Sequence, residues 1–296
     1  MNKNIFIHEF RARLKSVLIW GFGLTVLIGF FFSLFPVFAD QANLMNEFLS
    51  RYPPQFRAAF GFDKMDVSTV LGFYSLIFMF VQLCLAIQAS NYGFGLVSIE
   101  ESELTADFLL SKPVSRSEVM TSKLLAALAA LTLTNAWIWA CTLVAVALFS
   151  EGKEYRFSTL ILLLASIVIF QLFFLGVGLV LSLLVRRVRS VTPYALGLGF
   201  GAYVLSAFSG VLGDIALEYI TPFKHLDAAA IVRDGAYNIP LVLLNVAVTV
   251  MALAASSWLY LRRDIPAVSE AGRTMWAAIR WLRPSDGSAH PVGPQL

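Results

Sequence analysis

Six apolar stretches, 16–39, 67–90, 124–149, 157–185, 190–213 and 239–261, contain no Asp, Glu, Lys or Arg. Each is at least 23 residues long, and about 20 suffice to cross a hydrocarbon core roughly 30 Å thick at 1.5 Å per residue. A charge at the centre of a spanning helix costs about 2.5–3.5 kcal/mol even on a lenient insertion scale, so a bilayer demands this segregation. A soluble core could hide one or two such helices, but not six in 296 residues. The expected fold class is an all-α membrane protein with six transmembrane helices. Composition agrees, at 58% hydrophobic and 14% charged, where soluble chains run at about a quarter charged.

The same distribution excludes several functions. A formal charge of +3 on so apolar a chain is too mild to attract nucleic acid. Cys84 and Cys141 sit inside apolar runs and read as small hydrophobes, not as a disulfide framework. Proton- and ion-coupled carriers usually keep an ionisable residue at mid-membrane, and these runs have none, although some Na⁺ sites use only backbone and hydroxyl oxygens. That disfavours a gradient-driven carrier or channel, and leaves a non-transporting assembly or sensor subunit as a further alternative.

Six spans place both termini on one side. That side holds fifteen of the 22 basic residues and nine of the 19 acidic ones, for a balance of +6 against −3 opposite. By the positive-inside rule the terminal side is cytoplasmic. Val37-Phe38-Ala39 resembles a cleavage site, but the apolar run before it exceeds the 7–15 or so residues of a signal peptide, so a retained first span is expected.

Outside the spans, Ile5, Phe6, Phe10 and Leu14 share one helical face of residues 1–15, with Glu9, Arg11, Arg13 and Lys15 mostly on others. This pattern predicts an amphipathic elbow helix lying in the headgroup plane. Residues 40–66 and 214–238 are expected as segments on the far side, and Arg186-Arg187-Val188-Arg189 as a tight basic turn. Domain organisation is then a membrane domain over 1–264 and a cytoplasmic tail over 265–296, partly disordered because its end is rich in Pro, Gly and Ser.

Catalytic signatures are missing: there is no G-x-x-x-x-G-K-[ST] loop, no G-x-S-x-G elbow and no H-E-x-x-H. His8, His225 and His290 fall in three separate segments, and no metal site is expected. Any work this chain performs is powered elsewhere.

The segment after the second span is the most informative. Glu100-Glu101-Ser102-Glu103 is an acidic cluster on a basic face, suited to the positive start of a following helix. That helix, about Glu103 to Leu110, would expose Leu104, Phe108 and Leu110 and stop at Lys112-Pro113. Ser115-Arg116-Ser117-Glu118 has capping-box spacing and would start the third span's helix. Such a short helix either packs on its own protein or docks on a soluble partner.

The run from Glu100 to Arg116, with its paired acidic start, Thr105, Phe108-Leu109-Leu110 and Pro113-Val114-Ser115-Arg116, followed by Lys123, resembles a signature of the type-2 class of ABC (ATP-binding-cassette) transporter permeases. The basic amphipathic N-terminus, Pro222-Phe223-Lys224 with Asp227, and Tyr260-Leu261-Arg262-Arg263-Asp264 also look like that family, so the likeness covers nearly the whole chain. Leu104 departs from it, standing where relatives often have Gly or a polar residue.

The resemblance implies a coupling helix in which Glu100, Glu101, Glu103, Leu104, Thr105, Asp107, Phe108, Leu110, Pro113 and Arg116 engage a separate ATPase subunit. It also implies two permeases, as homodimer or heterodimer, with two ATPases in the plasma (inner) membrane of a prokaryote, and outward transport. ATP and Mg would be used by the partner, and no cofactor would be bound by this chain.

Gln82, Asn135, Gln171 and Asn245 are among the few polar residues within the spans. They are candidates either for a cargo path or for helix-to-helix hydrogen bonds, since an unsatisfied polar group in hydrocarbon costs several kcal/mol. Gly197 and Gly201 have the G-x-x-x-G spacing of a close helix contact, either between two permeases or within one.

Overall fold

Asn2 opens the first helix: its side-chain oxygen accepts from the backbone N–H groups of Asn4 (3.0 Å) and Ile5 (3.4 Å). No Gly or Pro follows until Gly21, and helix α1 runs unbroken over Lys3–Asp40. The computed structural model describes residues 2–41, 47, 51–53, 57, 66–103, 115–185, 190–212 and 215–262, with side chains left aside at 98–103, 212, 215 and 216. Expectations for Leu104 to Pro113, for the 186–189 turn and for the 265–296 tail therefore lie outside the described residues.

The remaining helices among the described residues are α2 (Val70–Glu103), α3 (Arg116–Phe149), α4 (Phe157–Leu184), α5 (Val191–Leu212), α6 (Ile215–Glu218), α7 (Pro222–His225), α8 (Ala228–Asp234) and α9 (Ile239–Arg262). Helices α1 to α5 and α9 are long and apolar enough to cross a membrane, and no strand occurs among the described residues.

Two boundaries differ from expectation. The elbow over 1–15 is not a separate helix but the first turns of α1, because nothing in Lys3–Lys15 breaks the backbone pattern. At 1.5 Å per residue α1 is about 57 Å long, well beyond a hydrocarbon core. Likewise the second apolar run ends at Ser90 but its helix continues to Glu103, since no proline intervenes before Pro113. Glu100, Glu101 and Glu103 thus sit at the C-terminal end of α2. By position they lie near the negative pole of that helix, where acidic residues are not favoured, and the start of any following helix lies outside the described residues.

α2 and α4 are the centre of the bundle: 67% and 61% of their most apolar stretches are buried, against 22% for α5 and α9. α1 packs along α3, α5 on α2 and α9 on α4. The core at the α1 C-terminal end is aromatic, with Phe32, Phe35, Phe73, Tyr74 and Phe78 in contact and fully buried. Toward the other end Leu96, Met120, Leu179 and Leu183 take over, around Phe170 and Phe174.

Candidate functional site

The expected coupling segment is bracketed by two described helix ends. On one side is the last turn of α2 with Glu100, Glu101 and Glu103. On the other, Ser115 caps α3 as its sequence predicts: the Glu118 N–H donates to Ser115 Oγ (3.2 Å) and the Ser115 N–H to Glu118 Oε2 (3.3 Å). Arg116 is the first residue of α3. The cap fixes where the chain turns from loop into helix.

Directly behind this bracket lies a charged cluster that sequence reasoning missed. Lys123, 3% exposed, donates from Nζ to the Leu96 carbonyl of α2 (2.9 Å) and stands 3.8 Å from Glu9 Oε1 of α1. Glu9 Oε2 accepts from Arg13 (2.5 Å), and the Arg13 guanidinium lies over the Tyr92 ring. The Asn2 N–H donates to Ser122 Oγ (2.8 Å). In the sequence Lys123 stands out as the lysine that follows the 100–116 run, one residue before an apolar stretch, with nothing to pair it with Glu9.

Deeper in, Gln88 joins three helices. Its Nε2 donates to Thr134 Oγ1 of α3 (3.0 Å), and its Oε1 accepts from Gln171 Nε2 of α4 (3.5 Å). Of the four amides considered for a cargo path, Gln82, Asn135 and Gln171 are buried within the subunit and Asn245 fully so. Gln82 donates to the Leu226 carbonyl (3.0 Å), and Asn245 pairs with His225 Nδ1 (3.3 Å). Gln82, Gln171 and Asn245 thus bond within the subunit, and all four side chains are buried in it. Acceptors on Asn135, Gln171 and Asn245 are left without partners in it.

Residues 215–237 do not simply trail along one face. α7 and α8 fold back into the bundle, with Pro222, Phe223, His225 and Leu226 buried. Phe223 sets its ring against Phe170, Phe174 and Tyr203, with centroids 5.0, 5.9 and 5.7 Å away, at mid-length of α4. The local reason is capping. Asp227 accepts from the Ala229 N–H (2.9 Å) to start α8, and Gly235 at φ +64° ends it, a left-handed conformation glycine adopts without strain. His225 Nε2 meets the Tyr219 carbonyl (3.1 Å). Burial pushes the His225 imidazole below its usual pKa, against smaller opposing effects of backbone contacts with Tyr219 and Glu218.

On α5 the glycine spacing divides in an unexpected way. Gly199 is the one packed internally, where an added Cβ would stand 2.9 Å from the Ile87 side chain. Gly197 and Gly201 face open space with nothing within 4 Å, so the close contact they permit is not within this subunit.

These features describe a bundle with a charged, hydrogen-bonded end where α2 finishes and α3 begins, and a segment folded back into it at the opposite end. A comparison with curated proteins returns no match. A family model described as "ABC-2 family transporter protein" matches residues 3–265, nearly the whole chain. With six membrane-length helices beside that match, the chain belongs to the ABC-2 family and is a multi-pass permease component of an ABC transporter, of the kind that works with a separate ATPase subunit.

Proposed function

We propose that this chain is the permease half of an ABC exporter in a prokaryotic plasma (inner) membrane, with two permeases and two ATPases per complex. ATP and Mg act in the ATPase, and this chain supplies the route and the lever. Both termini and the 104–114 segment are cytoplasmic in this reading, as the +6 against −3 charge balance favours.

The observation that carries the reading is the build of that end. α2, the most buried helix of the bundle, continues without interruption to Glu103. α3 restarts at the Ser115 cap, and the resemblance to a coupling signature falls between and across them. A push delivered through Leu104, Phe108 and Leu110 would enter α2 at its end and pass directly to α4 and α5, on which α2 packs. Closure of the ATPase pair would then tilt the spans and switch access. By linkage, cargo that prefers one access state must alter ATP turnover.

The cargo route runs between two permease copies. The amides inside one subunit are closed in by its own helices, whereas the Gly197 and Gly201 face of α5 is open. Replacing Phe108 and Leu104 with Asp tests the docking. Co-purification of the ATPase and cargo-stimulated hydrolysis are expected to disappear while membrane insertion persists. Unchanged association refutes the assignment.

A further inference from the structure

Lys123 occupies an unusual position for an ammonium in a membrane helix. Its side chain is 4% exposed and its Nζ does not reach water by extension. It turns instead to the backbone of a neighbouring helix, the Leu96 carbonyl. A buried cation is tolerated only where it is paired and hydrogen-bonded. Glu9 supplies an opposite charge from a third helix at 3.8 Å. Glu9 is in turn fixed by Arg13, four residues on along α1, itself largely buried. The contacts therefore bind α1, α2 and α3 at one level, about two turns below the last residue of α2 and two turns into α3.

We infer that Glu9 and Lys123 form a positioning clasp that makes the N-terminal turns of α1 move as one body with the two helix ends flanking the 104–114 segment. The inference rests on the reading that this segment meets the ATPase. Without the clasp, α1 would meet α2 at this end through apolar side chains around Val17, the Arg13 contact with the Tyr92 ring and a Ser16–Tyr92 hydrogen bond, and α3 through the Asn2–Ser122 hydrogen bond, with no ion pair between helices among them. With it, displacement of α2 or α3 drags α1, whose 38 residues then carry the motion across the membrane. Neither residue is assigned any contact with cargo or nucleotide. Their role is to hold helices in register.

The test has two parts. First, the purified chain in nanodiscs, with Cys84 and Cys141 replaced by Ala, carries spin labels at the exposed positions Ala12 of α1 and Thr121 of α3. A narrow inter-label distance distribution is expected, broadened by Glu9→Gln and by Lys123→Met. Glu9→Asp, which keeps the charge, is expected to restore most of the narrowness. Unchanged widths in both neutral variants overturn the clasp. Second, in the reconstituted complex, Glu9→Gln is expected to keep ATPase association and basal hydrolysis while cargo moved per ATP falls about fivefold or more. The double variant should lose no more than either single one, because the two residues act as one unit. Additive losses, or broadened distances with unaltered transport per ATP, overturn the coupling role. Failure of the unaltered chain to associate with its ATPase refutes the docking reading instead, and the distance measurement still judges the clasp.

Discussion

Gly93 of α2 and Gly178 of α4 meet backbone to backbone where the two central helices cross. A Cβ on Gly93 would collide with the Leu175 carbonyl oxygen and reach the Leu179 nitrogen at 3.0 Å, and one on Gly178 would stand 3.0 Å from the Ser90 carbonyl oxygen. Small residues let helix backbones approach this closely in a bilayer, where van der Waals packing is a main source of association. The same crossing brings Gln88 and Gln171 within bonding distance one turn or two away.

Because the obstructing atoms are backbone, they cannot rotate aside. Gly93→Ala is expected to destabilise the protein by about 1–3 kcal/mol, the usual range for overpacking, and Gly93→Leu to prevent stable folding. Unfolding of the detergent-purified protein measures this. Gly23→Ala and Gly29→Ala are the controls, since nothing lies within 4 Å of a Cβ at either position. An unchanged transition for Gly93→Ala would show that the two helices part more easily than this crossing implies.

The Ser115 cap gives a second, local prediction. Ser115→Ala removes the acceptor for the Glu118 N–H, at a cost of about 1 kcal/mol for a typical N-cap. The loss is expected to stay within the first turn of α3. Hydrogen exchange of the amides at 117–119 should quicken, with the rest of α3 unaffected and Ser115→Thr close to the original. Equal exchange in Ser115→Ala would mean the helix start is held by something other than the cap.

Much of this architecture was legible because membrane insertion is decided by local composition. Charge-free runs marked every spanning helix, and the Ser115 to Glu118 spacing marked a helix start, since capping needs only residues three apart. What stayed hidden depended on partners distant in the chain. Lys123 is marked in the sequence only as the lysine after the 100–116 run, and its partners Glu9 and Leu96 appear only once the helices are packed. Phe223 and His225 read as loop residues until α4 and Asn245 are seen around them. Helix ends follow a different rule from span ends. Hydropathy falls where the bilayer ends, but hydrogen bonding does not, so α2 outruns its apolar run by more than three turns. The glycine pattern on α5 was found in the sequence, but which glycine faces inward depends on the rotation of the helix about its axis.

That rotation sets up the third prediction. With open space around Gly197 and Gly201, Gly201→Val should leave insertion and thermal stability of the single chain unchanged. It should reduce the fraction of paired permeases if this face joins two copies. Counting subunits by stepwise photobleaching in nanodiscs measures the effect, and cysteines placed at 197 or 201 should cross-link between subunits. A full dimer fraction in Gly201→Val, with no cross-link, would place the permease contact on another helix.

The re-entrant segment makes the last prediction, on pH. His225 Nε2 faces the Tyr219 carbonyl, an acceptor, so Nε2 carries the proton and Nδ1 accepts from the Asn245 amide. The neutral imidazole satisfies both contacts. Protonating Nδ1 sets a donor against a donor until the Asn245 side chain turns over. Burial depresses the imidazole pKa in the folded state, so the unfolded chain binds the extra proton first as pH falls. Stability linked to His225 is then fully present above the ordinary value of about 6.5 and is lost as pH drops below it toward the depressed folded pKa. The thermal midpoint of the purified protein should fall on acidification through that range. His225→Gln, which cannot titrate, should be less stable at neutral pH but flatter with pH. A variant with the same pH slope as the original would assign the dependence to another group.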